Sequence, residues 1–530
     1  MSAVEIPGAG QAALADLPEP ADQVEPKVKK PWRLAELWLL VLAVTAGIGS
    51  FALVGLGMDG HLPQHFWVES GSLAAIALVA HVVVRIKAPF ADQTILPTVV
   101  LLNGIGLAMI LRIEQAGTRG AALADAGRNT QWSALGVLMA CVVIWFLKDH
   151  RMLRRLTYTA MFASLVFIAA PLLPGVGRTI NGARIWIHLG GFSLQPAEFA
   201  KITLAVFFAG YLVTSRDALA LAGPKILGLQ LPRVRDLGPI LIVWAASLGV
   251  LVFQRDLGTS LLFFGMFVAM LYLATERASW VFIGMGLFGV GAAVAASAFP
   301  HVGARVNVWV NAMDPAVFNA RGGSGQLVAG LFGMANGGLF GTGWGQGHPY
   351  LVPFSFSDFI YSSLGEELGL TGMLAILVAF LVLIERGMRT AIQVRDGFGK
   401  LLAGGLAFTL ALQTFVVVGG VTRLIPLTGL TLPFMAQGGS SLLANWVIVA
   451  ILLRISDSAR RPSALPMRGQ VVLGRVAPAD AAGHDPGTTP TEMVPPGPGT
   501  GATPAAGTPA AGAPAAGAPN QNVTNPGGAQ

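Results

Sequence analysis

Charge is what this sequence has least of. Asp, Glu, Lys and Arg make up 12% of its 530 residues, about half the share of an ordinary soluble domain. Hydrophobic residues fill 54%. A deficit spread over most of the length predicts a polytopic integral membrane protein of all-α class. Cysteine is nearly missing too. The single Cys141 lies within a hydrophobic run, which excludes a disulfide framework and a cysteine-built metal site. The first residues lack an early apolar core, so no cleavable signal peptide is expected.

Apolar runs near bilayer length fall at about 36–58, 67–86, 94–112, 132–147, 156–176, 196–214, 238–253, 257–275, 279–300, 366–385, 401–421 and 437–453. They predict about 12 transmembrane helices. With the N-terminus placed in the cytoplasm, 24 of the 34 Lys and Arg face inward. That bias is the positive-inside pattern. It also explains the isoelectric point near 9.8 without nucleic acid as a partner. Both termini are then cytoplasmic. Asp256, Asp358, Arg184, Arg305 and Arg423, far apart in sequence, all reach the outer face.

The longest internal loop, about 301–365, is also outside. Loops of that length are uncommon unless functional or disordered. Its stretch VAGLFGMANGGLFGTGWGQG is too apolar and Gly-rich for a solvated linker and predicts a re-entrant or interfacial segment. The expected division is a disordered N-terminal tail at 1–33, two N-terminal helices at 34–93, a core at 94–456 and a disordered Pro/Ala/Gly-rich tail at 457–530.

Four stretches carry polar groups into this apolar background, and each has a structural alternative. In GARIWIHLGGFSLQPAEFAKI, Trp186 can be an interfacial belt residue, Pro196 a first-turn proline and Glu198 a dipole partner. Gln195, Glu198 and Lys201 at one helix mouth are harder to explain singly; Glu198 and Lys201 can pair at i,i+3. In FQRDLGTS, Asp256 reads first as a helix N-cap. In GGVTRLIPLTGLTLPFMAQGGSSLLANW, two prolines surround a turn, Arg423 is a candidate anion contact, and Ser440 enters the last span. In FSDFIYSSLGEELGL, Asp358 lies about two turns before Glu366. It can be a helix-terminal acid assisted by Ser357, or a functional carboxylate. Burying a carboxylate in membrane-spanning sequence costs roughly 2.5–3.5 kcal/mol on insertion scales, so acids are uncommon there without a partner or a task.

Taken in order, NGARIW…QPAEFAKI, QRDLGTS, GGLFGTGWGQG…SDFIYSSLGEELGL and LIPLTGLTLPF…GGSS resemble the SEDS proteins of bacteria (RodA, FtsW, SpoVE), multispanning peptidoglycan polymerases. The resemblance covers about 94–456. It implies a ten-helix core, to which the first two spans are an addition most like the RodA branch. By motif, Asp358 matches the family's essential aspartate. The resemblance, with the polar groups noted above, makes Arg184, Trp186, Gln195, Glu198, Lys201, Asp256, Arg305, Glu366, Arg423 and Ser440 the candidate substrate-binding set. Phe354 and Phe356 replace an acidic residue and a histidine, Ala329 a glutamine, Arg255 a proline and Gln437 a tyrosine.

The implied reaction polymerises lipid II into β-1,4 glycan at the outer face of the bacterial cytoplasmic membrane, for elongation, division or sporulation. It needs one base for the hydroxyl proton and cations for the departing diphosphate. Arg184, Lys201, Arg305 and Arg423 are the candidates, with a divalent cation (Mg or Mn) as a possible addition. The implied partners are lipid II, membrane lipids, a class B penicillin-binding protein and other elongation or division proteins. Gly365, Gly369, Gly372, Gly404 and Gly405 are expected to form the lipid-facing seam for the transpeptidase. The alternatives are a lipid II flippase or transporter, and a non-catalytic scaffold.

Overall fold

The computed structural model describes residues 32–117, 123–180, 183–189, 192–220, 225–226, 229–230, 242, 245, 249 and 254–462. Helices dominate them. In hydrocarbon each backbone group needs an internal partner, and a helix satisfies all of them within one segment. We number the principal helices α1 (Leu34–Asp59), α2 (Phe66–Lys87), α3 (Ile95–Gln115), α4 (Ala126–Phe146), α5 (Thr157–Ala169), α6 (Ala197–Ala220), α7 (Leu257–Thr275), α8 (Ser279–Ala298), α9 (Pro300–Val310), α10 (Gly325–Gly337), α11 (Ile360–Gln393), α12 (Gly397–Val421) and α13 (Gly439–Arg460).

Ten of these are long and apolar enough to cross a membrane, so the described residues hold ten spans rather than twelve. The expected span at 156–176 is a 13-residue helix followed by a 3₁₀ turn at Ala170–Leu172. The one at 238–253 lies almost wholly outside the described residues. Helix α13 is central, with 89% of its apolar window buried, whereas α8 is peripheral, with 6%.

A second departure from the all-helical expectation follows α5. Strands β1 (Gly177–Ile180), β2 (Ala183–Leu189) and β3 (Phe192–Leu194) form an antiparallel sheet in the order β1-β2-β3. Arg178 stands opposite Trp186, and Ile187 opposite both Gly177 and Leu194. The alternation in ARIWIHL is the period-2 signal of a strand, overlooked beside much longer helical runs.

The tail boundaries also move. Arg33 is buried and donates from Nη1 to the carbonyl oxygens of Ala91 at 2.8 Å and Pro89 at 3.1 Å, and from Nη2 to Glu36. Helix α13 continues to Arg460, with Asp457 buried and accepting from the Phe90 N–H at 2.9 Å. The start of α1 and the end of α13 therefore meet at one end of the bundle. Residues 1–31 and 463–530, expected as tails, lie outside the described residues.

The small-residue seam must be corrected. A side chain at Gly404 would meet Leu273 and one at Gly405 would meet Met270, both on α7. Gly365 packs beneath Met334 and Met373, and Gly369 against the backbone at Leu339–Gly341. These glycines serve packing within the chain, so they are not open to a partner helix.

Gly369 also breaks α11. Its φ of 66° and ψ of −172° are accessible essentially to glycine alone. The break frees backbone groups that the preceding loop takes up. Thr342 and Gly343 donate to the carbonyls of Glu366 and Glu367, both at 3.0 Å, while Leu370 and Thr371 donate to those of Gly338 and Leu339 at 2.9 and 3.1 Å. The loop at 338–348 is thus zipped onto the helix that follows Asp358.

Candidate active site

Segments distant in sequence converge at the end of the bundle opposite Arg33. The start of α7 supplies Asp256, which caps its helix as a local reading predicts: Oδ1 accepts from the Thr259 N–H at 3.0 Å. Its second oxygen is not used by the cap. Oδ2 accepts from Gln195 Nε2 at 3.3 Å, and the Gln195 backbone N–H donates to Ser440 Oγ at 3.1 Å. The mouths of α6, α7 and α13 are tied together through these three residues.

Asp358 behaves differently. The N-cap of α11 is Phe359, with no side-chain capping bond, so neither Asp358 nor Ser357 performs the structural task that would have explained an acid there. The carboxyl is half-buried. Burial pushes its pKa up to about 6, against the pull of its own backbone N–H and of Arg305. Asp256 is raised as well, by burial first, with Thr259 and Arg305 opposing and Glu198 adding to the rise.

Arg305 on α9 is the cation that both carboxylates feel. Burial lowers its pKa while Asp256 and Asp358 favour its charge. Nη1 donates to the carbonyls of Leu427 at 3.1 Å and Thr428 at 2.9 Å, which fixes the guanidinium over the site. His301 stands beside it, its pKa lowered by burial and by Arg255 and Arg305. Sequence reasoning missed His301, and it noted Arg255 only as replacing a proline. Four of the six non-glycine residues with positive φ among the described residues flank this region: Arg255, Phe354, Arg423 and Phe434. Such conformations cost about 1–3 kcal/mol each and gather at functional sites.

Most of the remaining candidates are occupied by other partners. Lys201 is fully buried, pairs with Glu198 at 2.6 Å and donates to Asn445 Oδ1 at 2.8 Å and Gln413 Oε1 at 3.1 Å. Its burial and these partners correct the expectation of a phosphate ligand. Gln413 and Asn445 gave only the weak signal of amides inside apolar runs. Arg423 donates to the carbonyls of Trp309 at 2.8 Å and Val310 at 2.7 Å, anchoring the end of α9. Glu366 accepts from the His348 N–H at 2.9 Å and Asn336 Nδ2 at 3.3 Å; it holds the loop at 338–348 rather than joining Asp358. Arg184 lies on β2 and donates to the Leu173 carbonyl at 3.0 Å, with Trp186 half-buried two residues on. Among the described residues no hydrogen bond or ion pair unites those two with Asp358.

Gln437 does join the site. Its backbone N–H donates to the Phe356 carbonyl at 2.9 Å, and its side-chain amide bridges Leu123 and Asp125. Phe356 is buried against Phe354, ring centroids 6.3 Å apart. The wall beside Asp358 is therefore aromatic. Among the described residues no three His, Cys, Asp or Glu converge as a divalent cation's ligands would. Asp256 and Asp358 share an arginine, so these side chains alone do not fit a resident metal.

The family model described as cell cycle protein, for FtsW, RodA and SpoVE, matches residues 93–461. The chain belongs to the FtsW/RodA/SpoVE family. Peptidoglycan glycosyltransferase RodA of Mycobacterium tuberculosis (strain ATCC 25618 / H37Rv) is 50% identical over 436 residues, covering 81% of this chain and 92% of the relative. Stage V sporulation protein E of Bacillus subtilis is 35% identical over 341 residues, 63% of this chain and 87% of the relative. Among solved structures, the Thermus thermophilus rod shape determining protein RodA is similar at 24% identity and a TM-score of 0.44, covering 75% of this chain and 98% of that one. Within the family match lie Asp256, Arg305 and Asp358; α1 and α2 lie outside it.

Proposed function

We propose that this family member is a peptidoglycan glycosyltransferase that polymerises lipid II, with Asp358 as its general base. The observation that carries the reading is a carboxylate with no structural task. It caps no helix, shares one half-buried arginine with Asp256, and is held near a pKa of about 6 by burial. A general base works best when its pKa lies near the operating pH.

In the reaction, the 4-hydroxyl of an N-acetylglucosamine on one lipid-linked disaccharide attacks the anomeric carbon of another sugar. The new C–O bond forms as the bond to undecaprenyl diphosphate breaks, so an α-linked donor becomes a β-1,4 link. The diphosphate leaves with the electron pair, and Asp358 receives the hydroxyl proton. Arg305 is the cation best placed for the developing negative charge, with Arg255 and His301 beside it. Fixed donors of this kind act without reorganising during the reaction. A magnesium or manganese ion would supply further charge neutralisation at the diphosphate.

The inward bias of Lys and Arg supports an outer-face site. A polymerase of this kind makes glycan without crosslinks, so we propose a class B penicillin-binding protein as partner; co-purification with that transpeptidase tests it. The catalytic reading is tested by purified protein and lipid II with no transpeptidase present. Polymer from the wild type and none from Asp358→Asn is expected. Transbilayer movement of lipid II without polymer would make the protein a transporter instead.

A further inference from the structure

The first helix, outside the family match, touches the loop that leads to the proposed base. At its site end, Gly57 lies so close to the loop that an added Cβ would fall 1.9 Å from the Trp344 carbonyl oxygen. The approach is mutual. A Cβ on Gly345, whose φ is 82°, would meet the backbone of Gly57 and Met58 at 2.8 Å. Only glycine permits two backbones this near. The Gln346 side-chain amide donates to the Gly57 carbonyl.

The other side of the same loop is held by the family core. Glu367 Oε2 accepts from the Gly345 N–H at 3.1 Å, and its Oε1 accepts from Arg112 Nε at 2.7 Å. Arg112 Nη2 donates to the Gly347 carbonyl at 2.6 Å. Both side chains are buried. One residue further on, the His348 N–H is fixed by Glu366. From there the chain reaches Asp358 through the 3₁₀ turn Pro349–Leu351 and the turns at 352–357. The loop at 343–348 is thus clamped between α1 on one side and α3 with α11 on the other, ten residues before the carboxylate.

We propose that the site end of α1 is a positioning element for Asp358, with Gly57 and Gln346 as the residues that couple the added helix to the proposed reaction. The inference rests on the base assignment above. Its physical content is that α1 sets the pose of the 343–348 segment, and that segment sets the reach of Asp358 toward the attacking hydroxyl. A displacement of about 1 Å at a reacting group can cost on the order of 10²-fold in rate. Positioning of this kind acts on kcat, because it leaves the diphosphate contacts in place.

The test compares three substitutions in the full chain, assayed with lipid II and by thermal unfolding. Gly57→Ala puts a methyl against the Trp344 carbonyl and should lower kcat about tenfold or more, with KM within about twofold. Gln346→Met removes the donor without adding bulk and should lower kcat in the same direction, by about threefold. Gly49→Ala lies on the same helix where nothing stands within 4 Å of the new Cβ; it should leave kcat unchanged. Wild-type kcat in Gly57→Ala beside an inactive Asp358→Asn would overturn the positioning role and leave the base standing. A lowered unfolding temperature in Gly57→Ala with unchanged kcat in Gln346→Met would make the contact merely structural. An active Asp358→Asn would remove the base assignment and this inference with it.

Discussion

Asp256 and Asp358 at one end of the bundle are treated in the opposite way to Asp92, Asp396 and Asp457 at the other. At the end where α1 begins, acids have cations in surplus. Asp457 faces Arg461 at 2.8 Å and Arg454 at 3.6 Å, and Asp92 faces both Arg460 and Arg386. Asp396 caps α12 through the Gly399 N–H at 2.8 Å and meets His150 Nε2 at 2.7 Å and Arg151 at 3.6 Å. Burial alone would raise Asp396, but the His150 and Gly399 bonds and the nearby positive charges bring it down to about 2. At the other end, Asp256 and Asp358 divide the influence of Arg305, and both are raised. Similar side chains are buried at both ends, so burial does not account for the difference. The supply of partners does.

Removing the proposed base should have the largest effect. Asp358→Asn is expected to lose about 10²–10⁴-fold in lipid II polymerisation and to gain stability. The folded state favours the protonated carboxyl, so that contribution is complete below about pH 4 and is lost as pH rises through about 6. A neutral amide at pH 7 should therefore unfold later, by about 1–2 kcal/mol after allowance for partial exposure. Unchanged polymerisation would erase the contrast between the two ends.

Arg305 comes next. In the wild type the rate should fall as pH drops through about 6, because the base must be ionised to accept a proton. Arg305→Met removes a cation that favours ionised Asp358, so the acid limb of the pH–rate profile should move upward. The maximal rate should fall by about 10–10²-fold, with partial recovery in Arg305→Lys. A limb that stays in place would show that Arg305 does not reach Asp358.

At the opposite end the effect should be on stability alone. Asp396→Asn keeps a capping side chain but loses the charge that His150 and Arg151 face, at a cost of about 1–3 kcal/mol at pH 7. A depressed pKa stabilises above the unfolded value of about 4. The difference from wild type should therefore vanish as pH falls from about 4 through about 2. Polymerisation per folded molecule should stay within about twofold, as rate assays on the folded fraction would show. The smallest effect is expected from deleting residues after Ala477, whose Pro/Ala/Gly composition cannot build a core. Activity in detergent should not change.

Much of this was legible because hydrophobic length and rare charges are strong signals in lipid. The ten described spans follow the apolar runs, and Asp256, Asp358 and Arg305 do come to one end. What escaped notice depended on partners that no local pattern encodes. Lys201 reads as an available cation until Glu198, Gln413 and Asn445 are seen around it. Glu366 reads as a functional acid because the His348 N–H and the Asn336 amide that satisfy it lie elsewhere in the sequence. The seam glycines read as lipid-facing because small-residue spacing says that something packs closely, but not what.

The break at Gly369 also works as a ruler. At 1.5 Å per residue, the stretch 370–393 is about 36 Å long, enough to cross a hydrocarbon core of about 30 Å with some tilt. Leu370, Leu374, Val378 and Leu381 on it are exposed, as a tail-facing surface requires, while every residue from Ile360 to Glu367 is buried by protein. The crossing therefore needs none of the first turns of α11, roughly 14 Å of helix over residues 360–368. Those turns, and Asp358 just before them, are set by contacts with protein rather than by the length of the span.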